Sequence, residues 1–242
     1  MGDLSISSQK QTVYKIIKLK YFKAMLESNE LILCRTEEWE KNGDVYENFL
    51  LNIMYKDDPC LPLIKSKIYA QSWSRKGYQC TDAMWRLYSK KPNPKANNFD
   101  KLKNVAIKIH TTVSKLQKII DAYPEYQTFI DDVNYKNKEE IKKWIADNKN
   151  SNNAIKDSQF IKRNAFIHEN EVRVLVMDNN ATKRKKILRF QINPFDLIEG
   201  YCVLDPRLSD EQYKIIKNEL ESVIKGKYHL KIRPSTLYKL EF

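Results

Sequence analysis

Three observations predict an α+β fold built on a mixed, mainly antiparallel sheet. Runs of β-branched residues with period two recur along the chain, as at Val105, Ile107 and Ile109 and through Val172, Val174 and Val176. Segments with helical spacing separate some of these runs. The order of strand and helix is irregular rather than alternating, which argues against a doubly wound parallel sheet.

Taken in order, Thr12 to Ile17 reads as a first strand, and Leu19 to Glu27 as a short helix with Leu19, Phe22, Met25 and Leu26 on one face. Leu31 to Cys34 is an apolar strand. The segment from Glu37-Glu38-Trp39 through Asp44-Val45-Tyr46-Glu47 is read as an acidic, aromatic loop. Lys67 to Trp73 forms a strand ending in Ser72-Trp73-Ser74. A helix follows from Asp82, carrying Met84, Trp85, Leu87 and Tyr88, and Lys91-Pro92-Asn93-Pro94 stops it. Asn104 to His110 alternates as a strand. The stretch at about 112–155 has helical spacing at Val113, Leu116, Ile119 and Ile120, a break at Pro124 and a second helical run from Glu139 to Ile145. It reads as a lysine-rich helical insert within one α+β domain spanning residues 1–242.

After the strand at Val172, Asp178 to Thr182 forms a turn, and Lys183-Arg184-Lys185-Lys186 leads into a strand from Ile187 to Ile192. Tyr201 to Leu204 is a short strand. Ser209-Asp210-Glu211-Gln212 is a capping-box signature opening a helix that runs to Gly226. Strands at Tyr228 to Ile232 and Leu237 to Leu240 close the chain.

The 242 residues carry a formal net charge of +12, which attracts polyanions and favours a nucleic-acid partner. Lysine, asparagine and isoleucine are plentiful together, so an AT-rich coding bias is the competing source of that charge. Cys34, Cys60, Cys80 and Cys202 are scattered without a C-x-x-C, as are the three histidines, so no metal centre is expected. The cysteines read as buried free thiols. No apolar window approaches a membrane span and the N-terminus lacks a secretory pattern, so a cytoplasmic protein without a membrane partner is expected.

Glu169-Asn170-Glu171-Val172-Arg173 is the most informative segment. Strand alternation places Glu169, Glu171 and Arg173 on the face opposite the valines. Such a row lines either a wet sheet surface, with Arg173 pairing Glu171 across the pleat, or an active-site cleft. Ser72-Trp73-Ser74 by itself fits any strand, and Met84, Trp85 and Tyr88 at helical spacing fit a core face as well as a binding site.

Tyr14-Lys15, Asp44-Val45-Tyr46-Glu47, Ser72-Trp73-Ser74, Met84-Trp85-Arg86-Leu87-Tyr88 and Glu169-Asn170-Glu171-Val172-Arg173 occur in that order. The set resembles a widespread bacterial family labelled only as a domain of unknown function, with members near phage-defence genes. It is in turn similar to the layout of ADP-ribosyltransferases, which use NAD as substrate. That resemblance implies an ADP-ribosyltransferase-like sheet, with Glu171 catalytic and Glu169 orienting the acceptor. It also implies that Tyr14 or Lys15 contacts NAD and that Ser72 and Ser74 match the serine motif. Lys15 stands where an arginine-type enzyme has arginine, and no early histidine replaces it.

The chemistry suits these residue types. Breaking the nicotinamide–ribose bond develops an oxocarbenium-like charge that a carboxylate stabilises in the transition state. Trp85 or Tyr88 would stack on nicotinamide or adenine, and Arg173 would neutralise the pyrophosphate. Lys183, Arg184, Lys185 and Lys186 would contact phosphates of a nucleic-acid acceptor. The expected function is therefore that of a toxin or defence enzyme moving ADP-ribose from NAD onto an RNA or DNA base, with an antitoxin protein as a further candidate partner. A metal-dependent nuclease and a non-catalytic nucleic-acid-binding module are the alternatives. In the nuclease reading Asp44 adds to the two glutamates, and arginine is a poor stand-in for the usual lysine because it keeps its proton.

Overall fold

The computed structural model describes residues 11–41, 46–75, 82–180, 185–224 and 231–238. In chain order it runs β1 (Thr12–Lys18), α1 (Leu19–Ser28), β2 (Glu30–Arg35), α2 (Thr36–Lys41), α3 (Phe49–Met54), α4 (Leu61–Ser66), β3 (Ile68–Arg75), α5 (Asp82–Tyr88), α6 (Phe99–Leu102) and β4 (Ala106–Thr112). It continues with α7 (Val113–Asp121), β5 (Gln127–Asp132), β6 (Asn134–Lys136), α8 (Lys138–Asn148), α9 (Ala154–Ser158), β7 (Ile161–Arg163), a 3₁₀ helix (Asn164–Glu169) and β8 (Glu171–Met177). β9 (Ile187–Gln191), α10 (Pro194–Leu197), β10 (Tyr201–Leu204), α11 (Asp210–Ile224) and β11 (Lys231–Arg233) follow. The protein is a mixed α/β fold whose strand pairs are mainly antiparallel. Among the described residues no helix is long and apolar enough to cross a membrane.

The chain divides into two compact units, each discontinuous in sequence. The first comprises 1–31, 75–116 and 191–242, and the second 32–74 and 117–190. In the first, β1 pairs antiparallel with β4, β4 antiparallel with β10, and β10 parallel with β11. One sheet face carries Val13, Ile107, Ile109, Cys202 and Leu204, all buried. α1 contributes Leu19, Phe22, Met25 and Leu26, and α11 contributes Ile216, Leu220 and Ile224. Both helices bury one stripe, as the sequence spacing requires. On the other face, Tyr14, Ile16, Ala106 and Val203 pack with Met84 and Trp85 of α5. Ser209 and Gln212 exchange side-chain-to-backbone hydrogen bonds at the start of α11, which is the expected capping box.

In the second unit the strand order is β9-β2-β3-β8-β5. β8 is central: it pairs antiparallel with β3 over its whole length and with β5 on its other edge. That explains why Val172, Arg173, Val174, Leu175 and Val176 are all buried. Leu51, Ile68, Ala70 and Leu175 form a core against Trp39, Met54, Leu61, Ile64 and Phe129. A smaller parallel pair, β6 with β7, lies apart from the main sheet.

Several local expectations change. The stretch at 112–155 is not a purely helical insert, because β5 lies within it and completes the sheet beside β8. Among the described residues β8 is its one partner strand, and Gln127, Asp131 and Asp132 at its ends are polar, as suits an edge strand. The acidic loop begins as a helix, α2, with Glu37 and Glu38 in its first turn, where acidic groups suit the helix dipole. Leu237 and Tyr238 lie in a turn rather than a strand. Cys202 is buried, and burial pushes its thiol up to about 12, whereas Cys60 is exposed, contrary to the buried-thiol reading. Cys80, Asp44, His229 and Gly226 lie outside the described residues.

Candidate functional site

The antiparallel register of β3 and β8 sets Ser72 opposite Arg173 and Ser74 opposite Glu171. Paired residues project from the same side of a sheet, so all four share one face. Two residues earlier on β3 the same face carries Ala70 opposite Leu175, and Leu175 is opposite Phe129 of β5. The face thus passes from apolar core to charged cluster within one strand length.

Arg173 organises that cluster at 1% exposure. Its Nη1 is ion-paired with Glu47 Oε1 at 2.5 Å and donates to the Gln159 carbonyl at 2.6 Å, and its Nε donates to Glu171 Oε1 at 2.7 Å. The Trp39 ring centroid lies 5.8 Å from the guanidinium carbon. Ser72 Oγ donates to the same Glu171 oxygen at 2.6 Å. Lys162 Nζ sits 2.8 Å from Glu171 Oε2, 2.8 Å from Glu169 Oε2 and 3.9 Å from Glu47 Oε2. The backbone N–H of Glu171 donates to Tyr135 Oη at 2.9 Å. Three carboxylates face two cations, which leaves the cluster with one residual negative charge when all are ionised.

Ionisation follows from this geometry. Burial opposes a charge on Glu171, but Arg173 and Lys162 outweigh it and hold the carboxyl down at about 2. Burial likewise works against the charges of Lys162 and Arg173, and their glutamate partners overcome it, raising both. Burial pushes the Tyr135 hydroxyl up to about 12, so it stays neutral and serves as acceptor. Glu47 and Arg173 form the dry end, with side chains 1% exposed, while Lys162 and Glu169 reach 11% and 15%. Solvent therefore meets the cluster from the Lys162–Glu169 side.

The wet-surface reading of the Glu171 strand is overturned, since both Glu171 and Arg173 are buried. Glu169 is not on the strand. It ends the 3₁₀ helix, and Asn170, in the left-handed region at φ 42°, turns the chain into β8. Lys162, rather than strand alternation, brings the two glutamates together. Arg173 is not available to a pyrophosphate: a guanidinium this deep needs its anions at hand, and Glu47 and Glu171 supply them. Trp85, a candidate stacking ring, is 1% exposed and belongs to the core of the first unit beside Tyr14. Tyr14 and Lys15 point to opposite faces of β1 by strand alternation. Tyr88 is exposed on α5. The structure thus unites Ser72, Ser74, Glu169, Glu171 and Arg173 in the second unit, while Tyr14, Lys15, Trp85 and Tyr88 belong to the first. Lys185 and Lys186 are exposed beside β9, and Lys183 and Arg184 lie outside the described residues.

Sequence reasoning left Glu47, Lys162, Tyr135 and Gln159 without a role in the cluster. Glu47 carried a signal, as the last residue of the acidic loop motif. Lys162 and Tyr135 are adjacent through the β6–β7 register, a pairing that no sequence periodicity reveals. Among the described residues no three His, Cys, Asp or Glu side chains are grouped to hold a metal ion, and in this cluster the carboxylates are ion-paired with Lys162 and Arg173.

No curated protein and no solved structure matches the chain. Residues 84–174 match the model of a family described as a protein of unknown function (DUF2971), a span that runs from α5 into β8 and holds Glu169, Glu171 and Arg173 but neither serine.

Proposed function

We propose that the protein transfers ADP-ribose from NAD to a nucleic-acid base, with Glu171 as the carboxylate that meets the ribosyl cation. One observation carries this reading. Glu171 is kept ionised at the end of a central strand, with Oε1 fixed by Ser72 and Arg173. A carboxylate that is already charged and oriented needs no reorganisation when positive charge appears on the sugar.

In the reaction the C1′–nitrogen bond breaks, nicotinamide leaves with the bonding electrons, and an exocyclic amine of the acceptor base attacks C1′ and releases a proton. Glu171 stabilises the charged ribose. Glu169, on the more open side, orients the acceptor amine. Lys162 is the more exposed cation and bridges both glutamates, so it is the partner that yields Oε2 to a ribose hydroxyl. Arg173 acts through Glu171 as a positioning residue. The Ser72–Glu171 pair fits the reacting ribose. Trp85 and Arg173, both buried, do not fit the stacking and pyrophosphate roles.

The ion pairs of buried Arg173 with Glu47 and Glu171 favour a second reading, in which the cluster is a structural ion network in a non-catalytic nucleic-acid-binding protein. Incubation with NAD labelled in the adenylate moiety, and with separate pools of RNA, DNA and protein, separates the two. Label appearing in a nucleic-acid pool, with nicotinamide release, supports transfer. Oligonucleotide binding without nicotinamide release supports the structural network.

A further inference from the structure

The first unit carries a second surface of defined chemistry at the open end of its sheet. The β1–β4 register sets Tyr14 opposite His110 and Ile16 opposite Lys108. Lys108 is opposite Val203, Val203 is opposite Arg233, and Tyr201 is opposite Lys231. Paired residues share a face, as do residues two apart along a strand. One row across the four strands therefore reads Ile16, Lys108, Val203, Arg233, and the next reads Tyr14, His110, Tyr201, Lys231. Neither row contains an acidic residue. Glu199, whose N–H donates to the His110 carbonyl, is ion-paired with Lys115 at 2.8 Å.

Rings and cations interleave on this face. The Tyr14 and His110 centroids are 6.4 Å apart, and those of His110 and Tyr201 are 6.0 Å apart. Lys108 Nζ lies 5.8 Å from the Tyr14 centroid, and the Arg233 guanidinium carbon lies 4.4 Å from that of Tyr201. Met84 and Trp85 cover the Tyr14–Ile16 end, leaving Tyr14 8% exposed. Away from α5 the face opens: Tyr201 is 40% exposed, Lys231 and Arg233 are exposed, and Lys108 and His110 are half-buried.

We infer that this sheet face binds single-stranded nucleic acid. Unpaired bases stack on Tyr201, His110 and the Arg233 guanidinium, and Lys108 and Lys231 take the phosphates between them. A single strand offers both complements of this surface, namely free π-faces and anions at short, regular intervals. A duplex hides its base faces and an acidic peptide has none, so neither uses the rings. The net charge of +12 acts in the same direction. Binding here does not depend on the chemistry of Glu171.

The test is fluorescence anisotropy with short fluorescein-labelled oligouridine, oligothymidine and a matched duplex, without NAD. Tyr201→Ala weakens single-strand binding roughly tenfold, the scale of one lost base stack, while Tyr201→Phe retains it. Arg233→Ala weakens binding and flattens its salt dependence. Tyr21→Ala, which removes an exposed ring on α1, binds as wild type. Binding of either oligomer that depends on the Tyr201 ring supports the inference, and the stronger of the two names the strand type. Unchanged affinity in Tyr201→Ala overturns it, as does Tyr201→Phe binding as poorly as the alanine variant or a duplex binding as tightly as the single strands. Thermal melts of each variant verify the fold, and absence of nicotinamide release leaves these outcomes untouched.

Discussion

Arg173→Met removes the guanidinium at the centre of the cluster while keeping a side chain of similar reach. Glu47 and Glu171, both almost wholly enclosed, then lose the cation held 2.5 and 2.7 Å away, and the Gln159 carbonyl loses its donor. Breaking a buried ion pair by removing one partner costs about 3–5 kcal/mol. Lys162 stays within 2.8 Å of Glu171, so the expected loss is at the low end, about 3 kcal/mol. Whole-domain stabilities are roughly 5–15 kcal/mol, so this is a large share. For a chain of this size it corresponds to a fall of roughly 6–12 °C in the melting midpoint. Urea and thermal unfolding followed by circular dichroism measure it. Adding Glu47→Gln to Arg173→Met should recover part of the loss, because one stranded charge is then gone. A midpoint within about 2 °C of wild type, at the same slope in urea, would refute the view that these charges are buried and interdependent.

Acid provides a related check. Glu171 has its carboxyl lowered from the ordinary 4.5 to about 2 in the folded protein, so the unfolded chain binds more protons between those values. The contribution is present above about pH 4.5 and is lost as pH falls toward 2. Glu171→Gln should flatten that acid limb, and identical acid-unfolding curves for both proteins would contradict it. Tyr135→Phe strands the buried N–H of Glu171 and should cost about 1–3 kcal/mol in urea unfolding, whereas no change would mean that water replaces the hydroxyl. Trp85→Ala should cost about 3–5 kcal/mol as a core truncation in the first unit, and a loss below about 1 kcal/mol would show the ring to be peripheral.

Much of the fold was legible because its strands and helices bury one face at the expected period. α1 shows its apolar stripe, α11 its capping box, and β8 its unbroken run of buried residues. β5 escaped because an edge strand with polar ends, read beside helical neighbours, has no periodicity of its own. The two compact units have no signature in the sequence because each is assembled from separated segments. At the site, Glu171, Ser72 and Arg173 were legible from their motifs, but their environment was not. Whether a carboxylate is wet or buried depends on what covers the strand, and here Glu47 and Lys162 arrive from distant segments. Arg173 and Trp85 changed role for the same reason: spacing gives the face a side chain occupies, and only packing decides what lies against it.

The central claim is most directly tested by nicotinamide release and label transfer from NAD in matched reactions with wild-type protein and Glu171→Gln, each checked for fold by circular dichroism. Glutamine keeps the shape of the side chain and its contact with Ser72 but removes the charge that meets the ribosyl cation. The expected result is release and transfer by the wild type, reduced about 10²–10³-fold in the variant. Equal turnover by the two proteins, or no release by the wild type with any acceptor pool, would contradict the assignment of Glu171.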